Sequence, residues 1–190
     1  MRTFSKLTLL AAVTLVSAAA IAAPTDIHPA ANPSNSTWTN GVSSDGLTSV
    51  GYSDIGGGAK AFKIVGSSLT TLSPLSGHSN AVALAASANG SLVVGFSIDG
   101  SGNNQAVSWT GTTASLLDTN GDFLFSEAAG VGISGATTTI VGWGFSNSTF
   151  LEQAFLHRNN SIFELGRMIW PTSSSKAVGV SSDGDTIVGT

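Results

Sequence analysis

Short stretches of alternating apolar and polar residues, each bounded by a glycine-containing turn, recur along the chain. Val50-Gly51, Val94-Gly95, Val141-Gly142 and Val188-Gly189 mark one point in four segments, at intervals of 44, 47 and 47 residues. A turn signal precedes three of them: Ser44-Asp45-Gly46, Ala88-Asn89-Gly90 and Ser182-Asp183-Gly184. The third copy reads Ser134-Gly135-Ala136-Thr137, which lacks the Asp/Asn-Gly pair but is expected to keep the length. Ten to twelve residues after each Val comes an apolar run, KAFKI from Lys60, QAVSW from Gln105 and QAFLH from Gln153. A Leu-containing phrase follows from Ser68, Ala114 and Ser161, and the next unit opens at Ala81, Ala128 or Ala177.

Asp-Gly and Asn-Gly accept the positive φ of a tight hairpin turn, and side chains on a strand alternate between faces. One unit therefore reads as strand, turn, strand, loop, strand, turn, strand. Val50 shares a face with Tyr52, Val94 with Phe96 and Val141 with Trp143, while Gly51, Gly95 and Gly142 lie on the other face. Glycine weakens a strand unless something must come close to it. Each unit is thus expected to offer an aliphatic and aromatic face to one neighbour and a glycine-lined face to another. Four short strands in about 45 residues is the period of a β-propeller blade, with a β-solenoid as the alternative. The predicted fold is all-β: units at about 40–80, 81–127 and 128–174, and an incomplete one at 175–190.

The N-terminus differs in kind. Arg2 and Lys6 precede an apolar stretch from Leu7, and Ala20-Ile21-Ala22 offers a small-x-small cleavage site. This is the pattern of a secretory signal peptide over 1–22, followed by a Pro- and Asn-rich leader at 23–39. No other apolar run approaches membrane-spanning length. Without the signal the chain carries five basic and eleven acidic residues, dispersed, which excludes the basic surface that nucleic acid requires. With no cysteine there are no disulfides and no thiolate chemistry. The expected location is outside the cytoplasm: extracellular, on the cell surface or periplasmic.

The phrases Val42-Ser43-Ser44-Asp45-Gly46 and Val180-Ser181-Ser182-Asp183-Gly184, with Val-Gly-aromatic and the Ala-Phe pairs, resemble the extracellular HAF-repeat family of bacterial exported proteins. The resemblance runs from about Asn40 to Thr190. The His-Ala-Phe tripeptide itself is altered, to Lys60-Ala61-Phe62, Gln105-Ala106-Val107 and Gln153-Ala154-Phe155. Membership implies a secreted or surface protein of propeller-like repeats, some of whose relatives are autotransporter passengers. It implies no reaction.

Candidate chemistry is sparse. Asp118, Asn120 and Asp122 have the first three spacings of a calcium loop, but Phe123 stands where its glycine belongs and Ala129 where its bidentate Glu belongs. A polar turn is the plainer reading. His28, His78 and His157 fall at different phases of the repeat, so no zinc site is expected. No cofactor is expected either. Trp109 and Trp170 are candidates for stacking on a sugar or peptide, whereas Trp143 has a core position on its strand. The sequence reads as an exported, non-enzymatic interaction or structural module for a protein or glycan ligand, able to self-associate through open strand edges. The alternatives are the N-terminal part of a secreted glycan-active hydrolase or of an autotransporter passenger. Sequencing the exported protein from its N-terminus should begin at Ala23; a chain that still begins at Met1 would contradict the signal peptide.

Overall fold

The computed structural model describes residues 36–166 and 173–190. Fourteen strands among these residues form four antiparallel sheets, each in sequence order. The first holds β1 (Thr37–Val42), β2 (Thr48–Ile55), β3 (Gly58–Val65) and β4 (Ser68–Thr71). The second holds β5 (Asn80–Ala86), β6 (Leu92–Ile98), β7 (Asn104–Thr110) and β8 (Thr113–Leu116). The third holds β9 (Phe123–Ser134), β10 (Thr137–Ser146), β11 (Glu152–Arg158) and β12 (Ser161–Glu164), and the fourth β13 (Ala177–Val180) with β14 (Ile187–Gly189). The hairpin-linked antiparallel sheets are those of propeller blades, and they replace the solenoid alternative. Thr37, Trp38 and Thr39, assigned by sequence to the leader, belong to β1, where they pair with Ser53, Tyr52 and Gly51.

The sheets stack face to face through their first strands. β5 packs on β1, β2 and β3; β9 packs on β5, β6 and β7; β13 packs on β9 and β10. The fourth strands β4, β8 and β12 lie outermost, with most of their residues exposed. Val50, Ala61 and Leu72 of the first sheet meet Ala81, Ala83, Val93, Val107 and Trp109 of the second in one core. Val94 and Ala106 then meet Ala128, Ile140 and Phe155, and Val141 and Ala154 meet Ala177. The Val faces of the first three sheets thus cover the glycine face of the next sheet, as the alternation predicted. The aromatics that share the Val faces differ: Tyr52, Phe96 and Trp143 are only half-buried.

A bulge explains the glycines. Thr39 pairs with Gly51 but Gly41 pairs with Val50, so Asn40 is an extra residue. The same offset places Leu84 opposite Val94-Gly95, Ala129 opposite Val141-Gly142 and Val178 opposite Val188-Gly189. A bulge bends its strand and shifts the local backbone. Here it brings a carbonyl of the first strand over the glycine of the second. A Cβ built on Gly51 would fall on the Trp38 oxygen; on Gly95, Gly142 and Gly189 it would fall on the oxygens of Val82, Glu127 and Lys176. In the first and third sheets the rings of Phe62 and Phe155 also cover the glycine. Both rings are buried, each contributing on the order of 2 kcal/mol.

The Asp/Asn-Gly turns are built alike. Ser43 Oγ accepts from the Thr48 amide at 2.9 Å, Asp45 Oδ1 accepts from the Leu47 amide at 2.9 Å, and Gly46 adopts φ 72°. Ser87 and Asn89, and Ser181 and Asp183, repeat both bonds. The third hairpin departs from the expected equal length. Eleven positions separate Gly130 from its partner Val141, where nine separate Gly41 from Val50, and a two-residue turn joins Ser134 to Thr137.

Gly95→Ala is expected to cost about 3 kcal/mol, since the blocking oxygen is backbone and has no side-chain freedom to move aside. Gly100→Ala, exposed and with open space around it, should shift stability by less than about 0.5 kcal/mol. Urea melts of the two variants check this, and equal midpoints would mean that the glycine spacing has another cause.

Candidate functional site

The loop that the sequence offered for a metal lies between β8 and β9. Leu117 anchors it in the core, which carries Asp118 inward until it is 9% exposed. A carboxylate so placed needs hydrogen-bond donors. Asp118 Oδ1 accepts from the Gly121 and Asp122 amides, both at 3.0 Å, and Oδ2 accepts from the Phe123 amide at 2.8 Å. Both oxygens are therefore taken up by the loop's own backbone, and Asp118 acts as the cap that starts β9. Asn120 and Asp122 are exposed. Among the described residues no three His, Asp or Glu side chains gather where they could hold a metal. The loop borders a cavity of about 380 Å³, whose wall also includes Gln105, Phe123, Phe125 and Ser126.

Trp109 is corrected by the structure. It is not on a loop but on β7, fully buried between the first and second sheets, with Nε1 donating to the Ser73 carbonyl at 2.7 Å. Its indole fills the junction and has no surface left for a ligand. Trp170 lies outside the described residues. Trp143 joins a half-buried aromatic group, edge-on to Phe125 at 6.0 Å, with Phe125 stacked on Phe145 at 5.2 Å. Lys176 Nζ sits 3.5 Å from the Trp143 ring centroid and 2.8 Å from Glu152 Oε1, tying the fourth sheet to the third. Trp38, 44% exposed, stacks on Tyr52 at 4.7 Å.

Several other acids are engaged in the same way. Asp45, Asp99 and Asp183 are held below the ordinary carboxylate value by hydrogen bonds, chiefly from Ser43, the Asn103 amide and Ser181 respectively. Glu127 Oε1 accepts from Asn104 Nδ2 at 2.7 Å, bridging the second and third sheets. His78 Nδ1 lies 3.0 Å from Ser97 Oγ. His157 on β11 is half-buried, and desolvation lowers its pKa.

Sequence reasoning missed the two cations that lock turns to sheets. Lys63 Nζ donates to the Gly90 carbonyl at 2.6 Å, and Arg158 Nη2 donates to Thr139 Oγ1 at 2.7 Å and to the Gly184 carbonyl at 3.3 Å. Lys63 and Arg158 both lie on a third strand, ahead of the turn they hold. They do not share a register position, since Lys63 lies opposite Val50 whereas Leu156, two residues before Arg158, lies opposite Val141, so no spacing in the sequence pointed to them.

No family model matches the chain, and no curated protein does. Among solved structures it is similar to one described as "putative TolB from Agrobacterium tumefaciens", with a TM-score of 0.55 and 15% identity. The likeness covers 80% of this chain and 53% of that one, so this chain spans about half of its length. At that identity the likeness concerns fold, and it agrees with the four-stranded antiparallel blades. Among the described residues no helix is long and apolar enough to cross a membrane.

Asp118→Ala should lower stability by about 2 kcal/mol through loss of three bonds to a charged acceptor. Calcium added to the unaltered protein should leave its melting temperature unchanged. A calcium-dependent rise would restore the metal reading.

Proposed function

We propose that the chain is an exported, non-enzymatic repeat module of the HAF-like kind, acting outside the cytoplasm by association with other polypeptide. One observation carries this reading. The outermost strands β4, β8 and β12 each stand at the edge of their sheet, and each exposes a large apolar side chain, Leu69, Leu116 and Phe163. An exposed apolar side chain on an open strand edge is a template for another strand. A second copy of this chain is the partner it fits first, since each sheet here already packs on sheets of its own kind.

The acids support a binding role over catalysis. Asp45, Asp99, Asp118 and Asp183 serve turns, and Glu127 and Glu152 serve contacts between sheets. Catalysis by paired carboxylates needs two of them facing one cleft. The signal peptide and the HAF-like phrases support the extracytoplasmic setting.

Light scattering across a concentration series tests the proposal on the chain from residue 23 onward. The mean mass should rise with concentration, and the triple variant Leu69→Asp, Leu116→Asp, Phe163→Asp should hold it at the monomer value. A monodisperse monomer throughout would overturn the reading.

A further inference from the structure

The three junctions between successive sheets are built on one plan, and one of them departs from it. Where the second sheet meets the first, the turn between β5 and β6 seats Gly90 against Thr48, and Lys63 holds its carbonyl. Where the fourth meets the third, Gly184 sits against Thr139, and Arg158 holds its carbonyl. Both threonines are buried. Where the third sheet meets the second, that turn is replaced by the two-residue turn Gly135-Ala136, and the position of Thr48 and Thr139 is occupied by Leu92. Ser108 stands in the register position of Lys63 and Thr110 in that of Arg158, two residues further along, so neither cation has a counterpart here.

A second replacement enlarges the same place. Trp109 pairs with Val93, the residue before Val94; His157 pairs with Ile140, the residue before Val141. The buried indole that fills the first junction is thus replaced in the second by an imidazole. The His157 side chain makes no hydrogen bond to the described residues. What remains is a cleft of about 270 Å³ floored by Leu92 and Ile140, with Ser108, Thr138, His157 and Asn160 around it.

We infer that this cleft binds one or two rings of a neutral carbohydrate. None of its lining side chains is an acid, Lys or Arg, and partial burial lowers the His157 pKa and so favours its uncharged form, which leaves phosphates and carboxylates little counter-charge there. Hydroxyls, an uncharged imidazole and a carboxamide each offer donors as well as acceptors, matching sugar hydroxyls, which do both. The aliphatic floor suits the C–H face of a pyranose. The volume lies just below the range of drug-sized pockets, which limits the occupant to a small ligand. Asn160, at φ 61°, stands at the tip of the β11–β12 hairpin, beside the cleft.

The site stands independently of self-association, and its test reads out separately. Amide chemical shifts of the chain from residue 23 would be followed during titration with glucose, galactose and N-acetylglucosamine in turn. At least one should move the Ser108, Thr138, His157 and Asn160 signals together, with a millimolar dissociation constant. His157→Trp, which restores the indole of the sibling junction, should abolish the movement. Ala136→Trp reaches the same cleft from an exposed turn, so loss of binding there, with an unchanged melting temperature, separates occupancy from misfolding. Absence of movement with all three sugars, or movement that survives both variants, would overturn the site.

Discussion

A backbone carbonyl that crowds a glycine sets the geometry of every sheet. In each hairpin of first and second strands, one extra residue in the first strand swings a carbonyl over the second, and only a residue without a Cβ fits beneath it. The bend brings the first strand close enough to pack on the preceding sheet, while the Val beside the glycine turns the other way to meet the following one. Two adjacent residues thereby assign the two faces. A steric constraint within one hairpin becomes the rule by which sheets stack.

Much of this was visible in the alternation. The spacing of Val-Gly marked four units, and the opposed placement of Val and Gly foretold that a sheet between two others is covered on both faces. The turns at Gly46 and Gly184 followed from Asp-Gly, whereas the bonds that Ser43 and Ser181 accept from Thr48 and Thr186 did not. The bulges at Asn40, Leu84, Ala129 and Val178 were hidden because they leave no residue-type signature; they are written only in a register offset. That offset also hid the start of β1, since Trp38 reads out of phase with the rest of the first strand until Asn40 is set aside.

The candidate site was less legible for a different reason. Asp118 and Trp109 were conspicuous as residue types, but what each one does depends on contacts distant in sequence or buried. Asp118 spends its oxygens on three amides of its own loop, and the indole of Trp109 reaches Ser73 across a junction. Conversely, Lys63, Arg158 and His157 looked unremarkable until the sheets were aligned in space. Comparing equivalent positions across the three junctions is more informative here than searching for a motif. Repetition supplies its own reference, and function is best sought where one copy deviates from its siblings.

The central claim is the bulge, and cross-strand nuclear Overhauser contacts in the assigned protein measure it most directly. The account predicts contacts between Ala83 and Gly95 and between Ala85 and Val94, with Leu84 skipped, and the same skip at Asn40, Ala129 and Val178. Contacts running through these positions in unbroken register, with Leu84 opposite Val94, would contradict it. The repeated glycines would then have no carbonyl to make room for.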